Sequence, residues 1–239
     1  MNDLVSTLIE SHGGLARWRS FETLTANLKQ GGALWQLKGK SGVLDETTVT
    51  VGLRREWASH APFGDPSRRT DFTPGRVAIL SSNGDVLDEL EQPRSSFAGH
   101  TLETPWTDPQ LAYFAGEAMW TYLNLPFLLA ERGVEAEEIE SWQENEATWR
   151  RLRVRFPANI STHSTEQVLY VDAAGLLKRH DYDVEIAGGT PGAHLISEYR
   201  EVQGIMVPTR RRIFPRQPDG HAMTDMLVVS IDLDNIHLA

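Results

Sequence analysis

The stretch "TDPQLAYFAGEAMWTYLNLP", residues 107–126, decides how the rest of the chain is read. Thr107-Asp108-Pro109 has the form of a helix start, with proline at the first helical position, where its missing N–H breaks no hydrogen bond. Leu111, Phe114, Ala118, Tyr122 and Leu125 follow on one stripe, and Tyr113, Met119, Trp120 and Leu123 carry it around most of the circumference. A helix apolar nearly all round belongs inside a protein rather than on its surface. Pro126 kinks or ends it, and Gly133 closes the segment.

The flanking sequence supplies what could enclose such a helix. In "VLDETTVTVGL" (43–53), Val43, Thr47, Val49, Val51 and Leu53 alternate with Leu44, Glu46, Thr48 and Thr50. In "WRRLRVRFP" (149–157), Leu152, Val154 and Phe156 alternate with Arg151, Arg153 and Arg155, and "MLVVSIDLD" (226–234) repeats the pattern. A period of two with one oily and one wet face marks antiparallel strands. Consecutive strands are expected from residue 24 to about 91, divided by turn signals at Gly31-Gly32, Gly39 to Gly42, Pro62 to Pro66, Pro74-Gly75 and Asn83-Gly84. They resume at about residue 136 and run to the end. A first helix over residues 2–11 buries Leu4, Val5, Leu8 and Ile9 and stops at Gly13-Gly14, with Trp18 and Phe21 as core anchors after it.

The expected fold is therefore mainly β (α+β): a single large curved antiparallel sheet, a half-barrel of about ten or eleven strands. The N-terminal helix and the central helical segment plug its concave face. No repeat, low-complexity tract or linker divides the chain, so residues 1–239 are expected to form one half-barrel domain. A curved sheet that buries its inner side against helices leaves an apolar hollow.

Composition narrows the partners. The 23 basic and 33 acidic residues give a formal net charge of -10, which repels phosphate backbones and anionic membrane surfaces, so no nucleic-acid partner is expected. Absence of cysteine excludes disulfides and thiolate metal sites. The N-terminal stretch lacks the basic and apolar regions of a secretory signal, and no window approaches the roughly 20 apolar residues of a spanning helix. A cytoplasmic protein without integral membrane association is the expectation.

The C-terminal half also carries a resemblance. "YVDAAGLL" (170–177), a polar strand, "EYREVQGIMVP" (198–208) and a further strand together resemble the unclosed barrel of the LolA/LolB-like lipoprotein carriers, the motif match covering about residues 168–215. The resemblance implies a half-barrel of about eleven antiparallel strands, plugged by helices around a hydrophobic cavity that takes acyl chains. It carries over no particular residue as a lipoprotein-handling site.

Candidate site residues come from facing. In a strand over 176–186, His180 and Tyr182 share a face with Leu176, Lys178, Val184 and Ile186, while Arg179, Asp181, Asp183 and Glu185 form a solvated face with Leu177, on which Asp181 and Asp183 can pair with Arg179. His180 and Tyr182 can offer hydrogen bonds from an oily wall, or can be plain core residues satisfied by a neighbour. In "VPTRRRIFPR" (207–216), Arg211 points opposite to Arg210 and Arg212; if Val207 and Ile213 are inward, it needs a carboxylate such as Glu198 or Glu201, or a ligand anion. Tyr113, Trp120 and Tyr122, with Phe127, are candidates for a cavity roof, or ordinary core.

Catalytic and metal chemistry find little support. There is no Gly-x-Ser-x-Gly elbow, cysteine nucleophile or glycine-rich phosphate loop, and the histidines lack metal-site spacing. Only a centre assembled across strands from His163, His180 and His194 would be compatible with a metal. No catalytic residue, metal or cofactor is assigned. The expected function is a soluble binding protein for a hydrophobic or amphipathic small molecule or lipid, held by His180, Tyr182, Arg211, Trp120, Tyr122 and Tyr113. Two alternatives remain: an enzyme using the same hollow, with His180 as acid–base and Tyr182 or Arg211 orienting substrate, and a protein-interaction or oligomer scaffold.

Overall fold

The computed structural model describes residues 2–144 and 146–239. Helix α1 (Asp3–Ser11) is capped by Asn2, whose Oδ1 accepts a hydrogen bond from the Leu4 amide, and α2 (Leu15–Trp18) follows. Strand β1 (Thr23–Gly31) leads into the short α3 (Ala33–Leu37), then β2 (Glu46–Gly52), β3 (Ala58–Ala61), β4 (Arg68–Thr73), β5 (Arg76–Ser81) and β6 (Val86–Glu91). Helix α4 (Asp108–Asn124) separates these from β7 (Glu135–Glu144), β8 (Ala147–Arg155), β9 (Glu166–Val171), β10 (Leu177–Val184), β11 (Thr190–Val202), β12 (Ile205–Pro215) and β13 (Val229–Leu238).

The 13 strands of the described residues join one open antiparallel sheet in the order β6-β5-β4-β3-β2-β1-β13-β12-β11-β10-β9-β8-β7. The chain starts at the middle, meanders outward to the β6 edge, crosses through α4 to the opposite edge at β7, and meanders back. The last strand closes onto the first, with Leu28 opposite Leu233 and Leu24 opposite Leu238. The sheet is the expected open antiparallel one, but it has 13 strands rather than ten or eleven. The turn signals divide the chain more finely than the expected number allowed: the Pro/Gly-rich stretch 62–66 separates β3 and β4, both short. Residues 33–37, expected within the strand run, instead form α3. Its Ala, Leu and Gln are good helix formers, and one turn buries Leu34 and Trp35.

Helix α4 is the internal element its sequence demands. Thr107 and Gln110 form a reciprocal capping box: Thr107 Oγ1 accepts from the Gln110 amide at 3.3 Å, and Gln110 Oε1 accepts from the Thr107 amide at 3.0 Å. Every residue from Pro109 to Asn124 is buried. The helix packs on β2 to β6, and at Gly116 it lies so near the sheet that a methyl group there would be 2.6 Å from Phe72 Cβ. It ends before Pro126, as expected.

Helix α1 packs on the other half of the sheet. His12 Nε2 lies 3.3 Å from the Tyr199 hydroxyl, and the Met206 amide donates to the His12 carbonyl. Between α1 and α4, Trp18 stacks on Phe127 with ring centroids 4.3 Å apart. No helix among the described residues is long and apolar enough to cross a membrane.

One expected face is corrected. Arg179 and Asp181, assigned to water, are 0% and 2% exposed. Arg179 makes a two-pronged bond to Asp181 at 2.7 and 2.9 Å, Tyr170 donates to the same carboxylate, and the Gly220 carbonyl and Glu144 complete the guanidinium's partners. The loop after β12 and the ring of Trp142 cover this outer patch. Asp183 does remain on the wet side, where Arg216 donates to it at 2.5 Å.

Candidate functional site: an apolar cavity with a tyrosine–histidine end

Where α4, α3 and strands β10 to β13 face one another they leave a cavity of about 130 Å³. Trp35, Trp106, Phe114, Ala115, Ala118 and Met119 form one wall, and Ile213, Val229 and Ile231 from the final strands form the other. Met226 and Val228 stand in the same lining, and Met226 is 52% exposed, which places it at the mouth. The polar members of the buried wall are Tyr122, His163 and Tyr182.

These three side chains form a connected relay. The Tyr122 and Tyr182 hydroxyls are 2.5 Å apart, and the Tyr122 hydroxyl is 2.9 Å from His163 Nε2. On its other side His163 Nδ1 lies 3.2 Å from Glu117 Oε1, close but out of line for an ideal hydrogen bond. Glu117, fully buried in the middle of α4, receives three further donors on Oε2: Arg94 at 2.9 Å, Tyr113 at 2.8 Å and Ser161 at 2.7 Å. Burial alone would raise the Glu117 carboxyl, but His163, Arg94 and Ser161 outweigh it and hold the group below the usual carboxylate range. Burial pushes both relay tyrosines up, so each keeps its proton.

A second layer stands behind the relay. Arg211 points inward as its alternation requires, and it is 1% exposed. It has neither Glu198 nor Glu201 as partner; Glu198 pairs instead with Arg210 on the outer face. Arg211 donates to the Tyr122 carbonyl at 2.8 Å, sits 5.5 Å over the Tyr122 ring and approaches His194 Nε2 at 3.5 Å. His180 lies on the inner side beside Tyr182, its Nε2 bonded to the Gln167 side chain. Burial lowers His180 and His194 well below the usual histidine range, and the Nδ1 atom of each has no hydrogen-bond partner among the described residues.

Of the residues singled out from sequence, the structure places Tyr122 and Tyr182 in the cavity wall and His180 and Arg211 directly behind them. Tyr113 belongs to the Glu117 end of the relay, away from the cavity. Trp120 faces the opposite side of α4 and donates to the Gly52 and Arg55 carbonyls at 2.9 and 3.0 Å. Glu117 was missed, and His163 was singled out only as a member of a cross-strand metal centre, not as part of a hydrogen-bonded relay. A single glutamate in a helix otherwise apolar all round was the available signal, because a buried carboxylate requires donors to hold it. His163, His180 and His194 do converge in the interior, but no group of three or more His, Cys, Asp or Glu among the described residues could hold a metal ion.

Comparison with known proteins places the fold. No family model and no curated protein sequence matches the chain. Solved structures do: a LolA superfamily protein from Nitrosomonas europaea superposes with TM-score 0.52 at 10% identity, covering 98% of this chain and 92% of that one. A DUF1329 family protein from Desulfovibrio piger gives TM-score 0.56 at 12% identity, with 99% and 94% coverage. A candidate outer membrane lipoprotein-sorting protein domain from Vibrio parahaemolyticus gives 0.53 at 8% identity, with 98% and 91% coverage. The chain therefore has the LolA-like half-barrel fold, as its C-terminal motifs suggested.

Proposed function

We propose that this protein binds a hydrophobic or amphipathic small molecule, or the apolar part of a lipid, in the cavity between α4 and the concave face. The observation that carries the reading is the lining: two tryptophans, two phenylalanines and aliphatic strand residues around open space, with its buried polar side chains gathered at the relay. An apolar void in a close-packed interior forfeits dispersion contacts, and an apolar ligand restores them. The Vibrio structure's designation as a lipoprotein-sorting domain supports an apolar cargo for this fold.

The relay's placement suits this reading. It holds its hydroxyls through hydrogen bonds to one another and to His163, so the polar end is arranged before any ligand arrives, and pre-arrangement lowers the ordering cost of binding. Titration with Nile red tests the proposal. Wild-type protein should give saturable, blue-shifted emission, and Ala118→Phe, which fills the cavity from α4, should abolish it while leaving the fold intact. Equal binding by both proteins would place the dye elsewhere and defeat the reading.

A further inference from the structure

The relay has a direction, and that direction says which polar group it meets. Glu117 is surrounded only by donors, so the His163 Nδ1 facing it carries a proton. In neutral His163, Nε2 is then an acceptor; Tyr122 must donate to it, and Tyr182 must donate to Tyr122. The Tyr182 oxygen is left with lone pairs alone. Beside this chain lies Arg211, fully buried, with no carboxylate within ion-pairing distance among the described residues. An uncompensated buried cation favours a negative group nearby.

Resting on the apolar-ligand reading above, the geometry points to a carboxylic acid with a short hydrocarbon body as the ligand, bound as its carboxylate with its proton stored on His163. The transfer balances in three hops. The acid's O–H proton passes to the Tyr182 oxygen, the Tyr182 proton to the Tyr122 oxygen, and the Tyr122 proton to His163 Nε2. No heavy-atom bond forms or breaks. Tyr182 then donates to the carboxylate, Tyr122 to Tyr182, and imidazolium His163 to Tyr122, with Glu117 on its far side. An acid already ionised in solution reaches the same state by taking up one proton.

The groups facing His163 support this assignment. Glu117 and Tyr122 reach it from α4, Tyr182 and His180 from β10, with His194 on β11 and Arg211 on β12 around the Tyr122 ring. Protonating His163 alone would add charge beside Arg211, whereas protonating it with a carboxylate in the cavity adds none overall. The volume fixes the size of the body: about 130 Å³ is close to the roughly 150 Å³ of an apolar protein cavity that holds benzene. A medium-chain acid can seat part of its chain there and run the remainder toward Met226.

Titration calorimetry of octanoate and octanol, in buffers of different ionisation enthalpy at slightly alkaline pH, tests the inference. Octanoate should bind about tenfold or more tightly than octanol, as a charge-assisted hydrogen bond implies, with uptake of roughly one proton per ligand. Octanol should bind with none. His163→Gln and Tyr182→Phe should each abolish proton uptake and bring the ratio of octanoate to octanol affinity down to about one; Tyr182→Phe keeps the test available if the histidine variant fails to fold. Octanoate binding without proton uptake, or no tighter than octanol, overturns this inference alone. If octanoate, octanol and Nile red all fail to bind, the apolar-ligand reading falls with it.

Discussion

The hydroxyl of Tyr122 on α4 lies 2.5 Å from the hydroxyl of Tyr182 on β10, joining the internal helix to the returning half of the sheet through one short bond. Tyr122 sits in the middle of the relay, between Tyr182 and His163. Tyr122→Phe leaves both neighbours short of a partner, while Tyr182→Phe removes only the terminal hydroxyl. We expect Tyr122→Phe to cost about 2–4 kcal/mol and Tyr182→Phe about 1 kcal/mol in urea unfolding, from the penalty on unsatisfied buried polar groups. Equal costs would mean that the two hydroxyls are not in series.

Arg211 presents the opposite case, a buried charge whose removal should not hurt the fold. Among the described residues it has no carboxylate partner, and burial lowers its basicity. Arg211→Met, which fills the space without the charge, should leave unfolding free energy unchanged or raise it by about 1–2 kcal/mol. A loss above about 3 kcal/mol would show that its hydrogen bond to the Tyr122 carbonyl outweighs the desolvation of the guanidinium.

Close approach of helix and sheet depends on Gly116. An added Cβ runs into the Phe72 ring and would lie 2.6 Å from Phe72 Cβ, and Phe72 is itself fully buried against Tyr113. Gly116→Ala should therefore destabilise by about 1–3 kcal/mol through overpacking, despite alanine's better helix propensity. Adding Phe72→Leu should return part of the loss, and a double-mutant cycle by thermal or urea unfolding measures it.

Stability should fall toward both acid and alkali. Burial lowers His12 and His60 to about 4, with His180 and His194 also lowered, so the unfolded chain binds more protons than the folded one once pH drops below the ordinary histidine range. Their contribution is present above about 6.5 and is lost progressively as pH falls from there toward 4. Glu56 acts in the other direction. Burial raises it to about 8, so the folded state holds a proton that the unfolded state has released, and stability declines as pH rises from about 4.5 to about 8. Glu56→Gln should flatten that alkaline decline and gain on the order of 1–2 kcal/mol at pH near 8, a figure discounted for the group's partial exposure. An unchanged pH profile by urea unfolding would reassign the decline to other groups.

How much of this was legible in sequence follows from what periodicity records. Alternation reports which face of a strand is oily, and it correctly turned Arg211 inward and set His180 and Tyr182 apart from Asp183. It does not report whether a loop returns to cover the wet face, which is why Arg179 and Asp181 were misassigned: their cover comes from residues 216–222 and Trp142, far along the chain. The uniformly apolar α4 announced an internal helix, but its aromatics gave no sign of which side met the cavity. Tyr122 does, whereas Trp120, two positions away, faces Gly52. The relay was hidden for the same reason. Glu117, Tyr122, His163 and Tyr182 come from three separate segments, and only the crossing of α4 beneath the sheet brings them together.

The central claim is that the cavity beside Tyr122 and Tyr182 holds an apolar ligand. Native mass spectrometry of the gently purified chain, with and without added octanoate, tests it most directly. The account predicts a discrete mass increment of one ligand on the wild-type protein, carried from the cell or acquired from octanoate, and its absence in Ala118→Phe. A wild-type spectrum showing only the bare chain under both conditions, or an increment that Ala118→Phe retains in full, would contradict it.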